Sequence, residues 1–146
     1  MADTLSKSKR SQVMAAVRSS GNKATELKLI SIFRANSISG WRRGASLFGK
    51  PDFVFKRERV AVFVDGCFWH GCRLHYRMPR SNRLYWRRKK ARNAARDRLV
   101  NQRLRDSGWR VLRIWAHALR SPELIARRII SRLSPASKKC KNAARA

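Results

Sequence analysis

The stretch from Val60 to His75, V-A-V-F-V-D-G-C-F-W-H-G-C-R-L-H, constrains this chain more than any other. Its first five residues are apolar and rich in β-branched side chains, and Gly66 follows closely. A run this short, closed by glycine, predicts a strand buried on both faces. Directly after it come Asp65, Cys67, His70, Cys72 and His75, interleaved with Phe68 and Trp69. Polar, metal-capable groups at this density cannot continue a dry core. The strand is therefore expected to open into a site, and most other informative residues can be read as serving it.

Upstream, P-D-F-V-F sets Pro51 and Asp52 before the apolar run Phe53, Val54 and Phe55. A charged connection over residues 56–59 then leads to Val60. Two strands joined this way predict an antiparallel hairpin. Asp52 at the start of the first strand and Asp65 at the end of the second would lie side by side. Alone, either could be a turn-capping aspartate. Together, in so basic a chain, they suit a shared Mg²⁺ site.

Cys67, Cys72 and His75 have the spacing C-x₄-C-x₂-H, which predicts a zinc site. His117 follows the apolar-basic run W-R-V-L-R-I-W and is the candidate fourth ligand, which would make the zinc structural. His70 is then free to act as a general base beside the two carboxylates. It could instead replace His75 or His117 on the metal. Phe68 and Trp69 are expected to point to opposite sides of their segment, with at least one exposed as a wedge between base pairs.

The remaining elements frame these residues. The pattern V-M-A-A-V predicts a short helix from Ser11, in which Met14 is either a core filler or an apolar finger on a basic arm. Residues 19–23 form a linker. A helix over residues 23–36 should bury Leu27, Ile30 and Phe33, with Glu26, one of only eight acids, in its first turn. Residues 37–50 read as turns. A long basic helix runs from an Asn82 cap to Ser107, stopped by Gly108, with a thin apolar face of Trp86, Ala94, Val100 and Leu104. The strand over residues 109–115 follows, and the helix between it and the hairpin permits a parallel crossover and a mixed sheet. Ser121, Pro122 and Glu123 start a last helix that ends near Leu133.

Charge names the partner class. The 146 residues carry 36 Lys and Arg against 8 Asp and Glu, a formal net charge of +28. So basic a domain is expected to bind a polyanion, and nucleic acid comes first because clustered cations release counterions from phosphates. There is no apolar run long enough to span a membrane and no signal-peptide core, so no membrane role is expected. Three cysteines, Cys67, Cys72 and Cys140, fit metal binding in a reducing cytoplasm better than a disulfide framework.

P-D-F-V-F, V-D-G-C-F-W-H-G-C, the basic helix with N-A-A-R-D-R, and G-W-R-V-L-R-I-W together resemble the very-short-patch-repair (Vsr) mismatch endonucleases. The N-terminal R-S-x-x-M and the A-T-E-L of the first long helix fit the same pattern, so the likeness spans about residues 8–133. The resemblance implies a restriction-endonuclease-like α/β fold, with a central mixed β-sheet flanked by helices. It implies Mg²⁺-dependent nicking of one strand of duplex DNA beside a T:G mismatch left by deamination of 5-methylcytosine. Asp52 would bind the Mg²⁺ with the backbone carbonyl of Val64, Glu26 would orient water at the metal, and His70 would be the general base or its partner. Met14, Phe68 and Trp69 would intercalate, and Cys67, Cys72, His75 and His117 would hold structural zinc. Asp65 stands where some members carry a histidine that touches the scissile phosphate, and Cys67 replaces the catalytic lysine of related nucleases. The implied organisation is a DNA-binding arm over residues 1–20, an endonuclease domain over 21–133 and a basic, disordered tail over 134–146. The implied setting is a monomer in the bacterial cytoplasm, nucleoid-associated on DNA, with mismatch-repair proteins as partners. The alternatives are a nuclease of the same fold without mismatch specificity and a non-catalytic, zinc-stabilised nucleic-acid-binding module.

Overall fold

The computed structural model describes residues 25–135, together with Ser6, Ser8 and Lys9. The helix expected from Ser11 with its Met14, the 19–23 linker, and the tail beyond residue 135 with Cys140 lie outside the described residues.

The hairpin forms as the sequence predicts. Strand β2 (Phe53–Phe55) pairs antiparallel with β3 (Val60–Asp65), with Phe53 opposite Val62 and Phe55 opposite Val60. Strand β4 (Arg110–Trp115) then pairs parallel with β3, from Val60 opposite Arg110 to Asp65 opposite Trp115. A two-residue edge strand, β1 (Trp41–Arg42), completes a mixed sheet of order β1-β2-β3-β4. It falls in the segment expected to hold only turns. Two residues are too short to show a period, and tertiary pairing alone makes them a strand.

Side-chain alternation on β3 sorts the chain into three layers. Val60 and Val62 face one side, where they pack with Leu112 and Ile114 of β4 against α1 (Glu26–Ala35) and the C-terminal helix α3 (Pro122–Leu133). Leu29 and Phe33 of α1, and Ile125 and Ile129 of α3, are almost completely buried there. Phe33 meets Phe53 and Phe55 edge-on, with centroids 5.2 and 5.7 Å apart. Ala61 and Phe63 face the other side and pack against Val100 and Leu104 of α2 (Arg83–Asp106). Asp65 has the same parity as Ala61 and Phe63, so the strand delivers its one carboxylate to the α2 face. Arg113 of β4, opposite Phe63, shares that face.

Four local expectations change. Leu27 is exposed; the buried face of α1 is Glu26, Leu29, Ile30 and Phe33 with Ile32 beside it, the i, i+3, i+4, i+7 pattern. Asn82 precedes α2 in a left-handed conformation (φ 53°) without a side-chain cap bond, and Ser121 makes none to α3, whose start rests on Pro122 at the first turn. On α2 only Val100 and Leu104 are buried, and Trp86 and Ala94 stay partly exposed. Gly108 stops α2 as expected, at φ 80°. A 3₁₀ turn, Ala116–Arg120, leads from β4 to α3 and carries His117. Among the described residues, no helix is long and apolar enough to cross a membrane.

Candidate active site and metal cluster

A cleft of about 1140 Å³ opens at the C-terminal end of β3, between the hairpin and α2. Glu26, Asp52, Asp65 and His70 all line it, as does Val64. The hairpin sets the first contact: the Val64 N–H donates to Asp52 Oδ2 at 2.7 Å, so the strand-flanking carboxylate is held by its neighbour's backbone. Burial pushes Asp52 up to about 6. The Val64 N–H opposes that rise, the charges of Glu26 and Asp65 add to it, and Arg113 opposes it. Glu26 is 4 % exposed and forms an ion pair with Arg43.

His70 is fixed by a residue that the sequence reading did not single out. Its Nδ1 lies 2.6 Å from Asp97 Oδ2 of α2, and its Nε2 lies 3.8 Å from Asp65 Oδ1. Arg113, likewise not singled out, donates to both Asp65 oxygens, at 2.8 and 3.1 Å, and stands 3.4 Å from Asp97 Oδ1. A signal for this network was in the sequence. Asn93, Asp97 and Asn101 recur every fourth residue in a helix otherwise crowded with Arg and Lys, and thus share one face. Asn93 donates to the Trp69 carbonyl (2.9 Å), Asp97 holds His70, and Asn101 accepts from Arg113 Nε (2.9 Å).

The same loop carries the sulfur and imidazole groups. Cys67 leaves β3, His117 leaves β4, and the parallel pairing brings them together: Cys67 Sγ lies 3.1 Å from His117 Nδ1. Cys72 Sγ is 3.6 Å from the same nitrogen and 3.7 Å from His75 Nδ1. The ligand atoms of Cys67, Cys72, His75 and His117 all fall within 4.8 Å of one another, and the group could hold a metal ion. Burial raises the Cys72 thiol, but the backbone N–H groups of His75 and Leu74, with the Cys67 side chain, hold it below its ordinary value. That favours the thiolate a metal needs. His70 lies outside this cluster.

Phe68 and Trp69 do not point to opposite sides. Their centroids are 5.2 Å apart, and Phe68 also meets Trp86 at 5.2 Å and Tyr76 at 5.9 Å. Both rings are half-buried in one aromatic cluster, because α2 supplies Trp86 as a common platform. Lys89 Nζ sits 5.0 Å from the Trp69 ring centre, putting a cation beside that platform at the cleft.

A cleft with carboxylates, a carboxylate-held histidine and a basic helix beside it holds the groups that hydrolysis of a polyanionic chain requires. Comparison with known proteins makes this specific. The family model described as "DNA mismatch endonuclease Vsr" matches residues 2–76, about half of the chain. The DNA mismatch endonuclease Vsr of Escherichia coli (strain K12) is 38 % identical over 125 residues, covering 84 % of this chain and 79 % of that protein. The type II nicking enzyme V.NaeI of Lentzea aerocolonigenes is 46 % identical over 112 residues, covering 74 % of this chain and 68 % of that protein. The type II nicking enzyme V.NmeDIP of Neisseria meningitidis serogroup C is 42 % identical over 117 residues, covering 79 % and 78 %. The chain belongs to the Vsr family and is a DNA endonuclease. The reading as a non-catalytic binding module is set aside.

The raised Asp52 gives a prediction with a definite sign. Between the unfolded carboxyl value near 4 and the folded value of about 6, the folded protein holds a proton that the unfolded chain has released. Stability from this group is thus greatest at low pH and is lost as pH rises towards 6 and beyond. In Mg²⁺-free buffer, Asp52→Asn should stabilise the protein by ~1–2 kcal/mol at pH 8 and by nothing near pH 4, as read by thermal unfolding.

Proposed function

We propose that this protein nicks one strand of duplex DNA, with Mg²⁺, beside a T:G mismatch of the kind left by deamination of 5-methylcytosine. The observation that carries the reading is the sharing of one cleft by Asp52, the His70–Asp97 pair and the Trp69 platform. Family membership supports it, and so does the name of the E. coli relative. The mixed sheet, with its carboxylate at the hairpin and helices on both faces, supports a restriction-endonuclease-like fold.

The residues fit a divalent cation at Asp52. Its Oδ2 already accepts the Val64 N–H, leaving Oδ1 available, and burial raises the cost of its charge until a cation offsets it. The Val64 carbonyl would be the second protein ligand. When bound, Mg²⁺ would supply charge stabilisation to the phosphate oxygens as the bond breaks. The protein's own groups do the rest. Asp97 holds the proton on His70 Nδ1, which leaves the Nε2 lone pair to take a proton from the attacking water. Glu26, kept in the cleft by Arg43, orients that water. Lys89 and Arg96 of α2 line the cleft and would hold the DNA backbone. Phe68 and Trp69, with Met14 of the arm, would wedge beside the mismatch, where unstacking costs least.

The Cys/His cluster suits structural zinc. Zinc–sulfur bonds of about 2.3 Å and zinc–nitrogen bonds of about 2.0 Å at tetrahedral angles place S and N roughly 3.6 Å apart. The Cys72 distances of 3.6 and 3.7 Å lie there already. We infer that the protein works as a monomer in the bacterial cytoplasm, nucleoid-associated on DNA, with mismatch-repair proteins as partners. The 1–20 arm and the 134–146 tail are assigned to the DNA backbone on charge.

Two experiments test this. With Mg²⁺, a T:G duplex should be nicked well above its T:A control. Asp52→Ala should abolish nicking, and His70→Ala should slow it by roughly 10²–10⁴-fold. Equal cutting of both duplexes would keep the nuclease and remove the mismatch specificity. For the zinc, His117→Ala should lose the metal by mass spectrometry and lower the unfolding midpoint by on the order of 10 °C. An unchanged midpoint with no metal in wild type would remove the zinc assignment.

A further inference from the structure

The cleft brings together more carboxylates than a DNA-cutting site can leave unscreened. Glu26, Asp52, Asp65 and Asp97 all line it, and a phosphate would arrive among them. Their partners differ. Glu26 has Arg43. Asp65 and Asp97 share Arg113. Among the described residues no Arg or Lys forms an ion pair with Asp52, whose close contact is a backbone N–H.

Arg113 has no freedom to do anything else. Nη1 reaches both oxygens of Asp65, at 2.8 and 3.1 Å, Nη2 stands 3.4 Å from Asp97, and Nε donates to Asn101 at 2.9 Å. Its guanidinium carbon lies 4.5 Å from the centre of the Phe63 ring, so one face is stacked as well. Asp65 is 5 % exposed, and so buried a carboxylate is tolerable only with a fixed counter-charge. These two carboxylates flank His70, one at each ring nitrogen.

We propose that Arg113 is a positioning residue for DNA cleavage: it clamps Asp65 and Asp97 around His70, and Asp65 is the counter-ion of that clamp rather than a ligand of the catalytic cation. The proposal rests on the reading of His70 as base and Asp52 as the cation site. A planar, five-donor guanidinium suits the task, because it can hold two carboxylates and an amide in fixed relative positions, where an ammonium offers only a point charge. Removing Arg113 leaves two carboxylates that repel each other and the incoming phosphate, and it frees Asp65 to recruit a cation. The one deeply buried carboxylate at the end of β3 therefore does not add a second metal-binding arm.

A mutant cycle with two readouts tests this. Arg113→Met should slow single-turnover nicking by on the order of 10²-fold while leaving duplex affinity in Mg²⁺-free buffer nearly unchanged. Asp65→Asn should cost about tenfold, and the double variant should be no worse than Arg113→Met alone, because the buried charge and its partner leave together while Asp97 loses the same contact in both. Arg113→Lys, which keeps the charge and loses the fork, should fall between wild type and Arg113→Met. Mn²⁺ binding to DNA-free protein, followed by electron paramagnetic resonance, is independent of activity. Wild type and Asp65→Asn should bind the same number of ions, and Arg113→Met should bind more. The clamp is overturned if Asp65→Asn loses an ion that wild type binds, or if the two rate losses multiply. Should Arg113→Met not fold, the Asp65→Asn ion count and the Arg113→Lys rate decide alone. If wild type nicks neither T:G nor T:A duplex, the functional reading fails, and the ion counts still judge the clamp.

Discussion

The parallel pairing of β3 with β4 is the contact on which the site depends. It ends with Asp65 opposite Trp115, and both chains then leave the sheet at the same end. Two residues on, β3 reaches Cys67 and β4 reaches His117, side by side. Four ligands joined there would close the loop of residues 67–75 on itself and tie it to the far strand. His70, Phe68 and Trp69 all ride on that loop. In the role proposed for it, His70 would have to be held within a fraction of an ångström of its water, which a nine-residue loop cannot guarantee by local contacts alone. Metal cross-linking at both flanks is an economical way to do so in a domain with a modest core.

The helix across the sheet supplies the second restraint. α2 is so basic that its outer surface can only face water or phosphate, yet its inner stripe of Asn93, Asp97 and Asn101 is neutral or acidic. Each of the three holds a different part of the site: the loop backbone, the histidine and the arginine. One helix thus attracts the polyanion on one side and orients the groups that would cut it on the other. The net charge of +28 draws DNA in, and the cleft keeps its four acids from repelling it by pairing three of them with arginine.

Most of this was legible locally. The hairpin, the buried strand and the local trio Cys67, Cys72 and His75 followed from spacings and an apolar run, because strand parity and ligand geometry act over a few residues; His117 followed only from expecting its strand beside β3. Asp97 and Arg113 were not legible in that way. Whether they matter depends on which face of α2 meets which face of β4, and that is set by packing. Leu27 failed for a similar reason: Ile30 and Phe33 are buried as expected, but tertiary packing completes their face with Glu26 and Leu29 and leaves Leu27 outside. Phe68 and Trp69 were expected on opposite sides of a short segment, but the segment turns, and Trp86 gathers both.

A closed zinc centre of two sulfurs and two nitrogens, as proposed, would clamp the loop that carries His70 to the sheet. Zinc K-edge X-ray absorption of the native protein tests it most directly. Two sulfur neighbours at about 2.3 Å and two nitrogens at about 2.0 Å, with no bound water, are expected. A shell with one sulfur or none, or native protein without zinc, would contradict it.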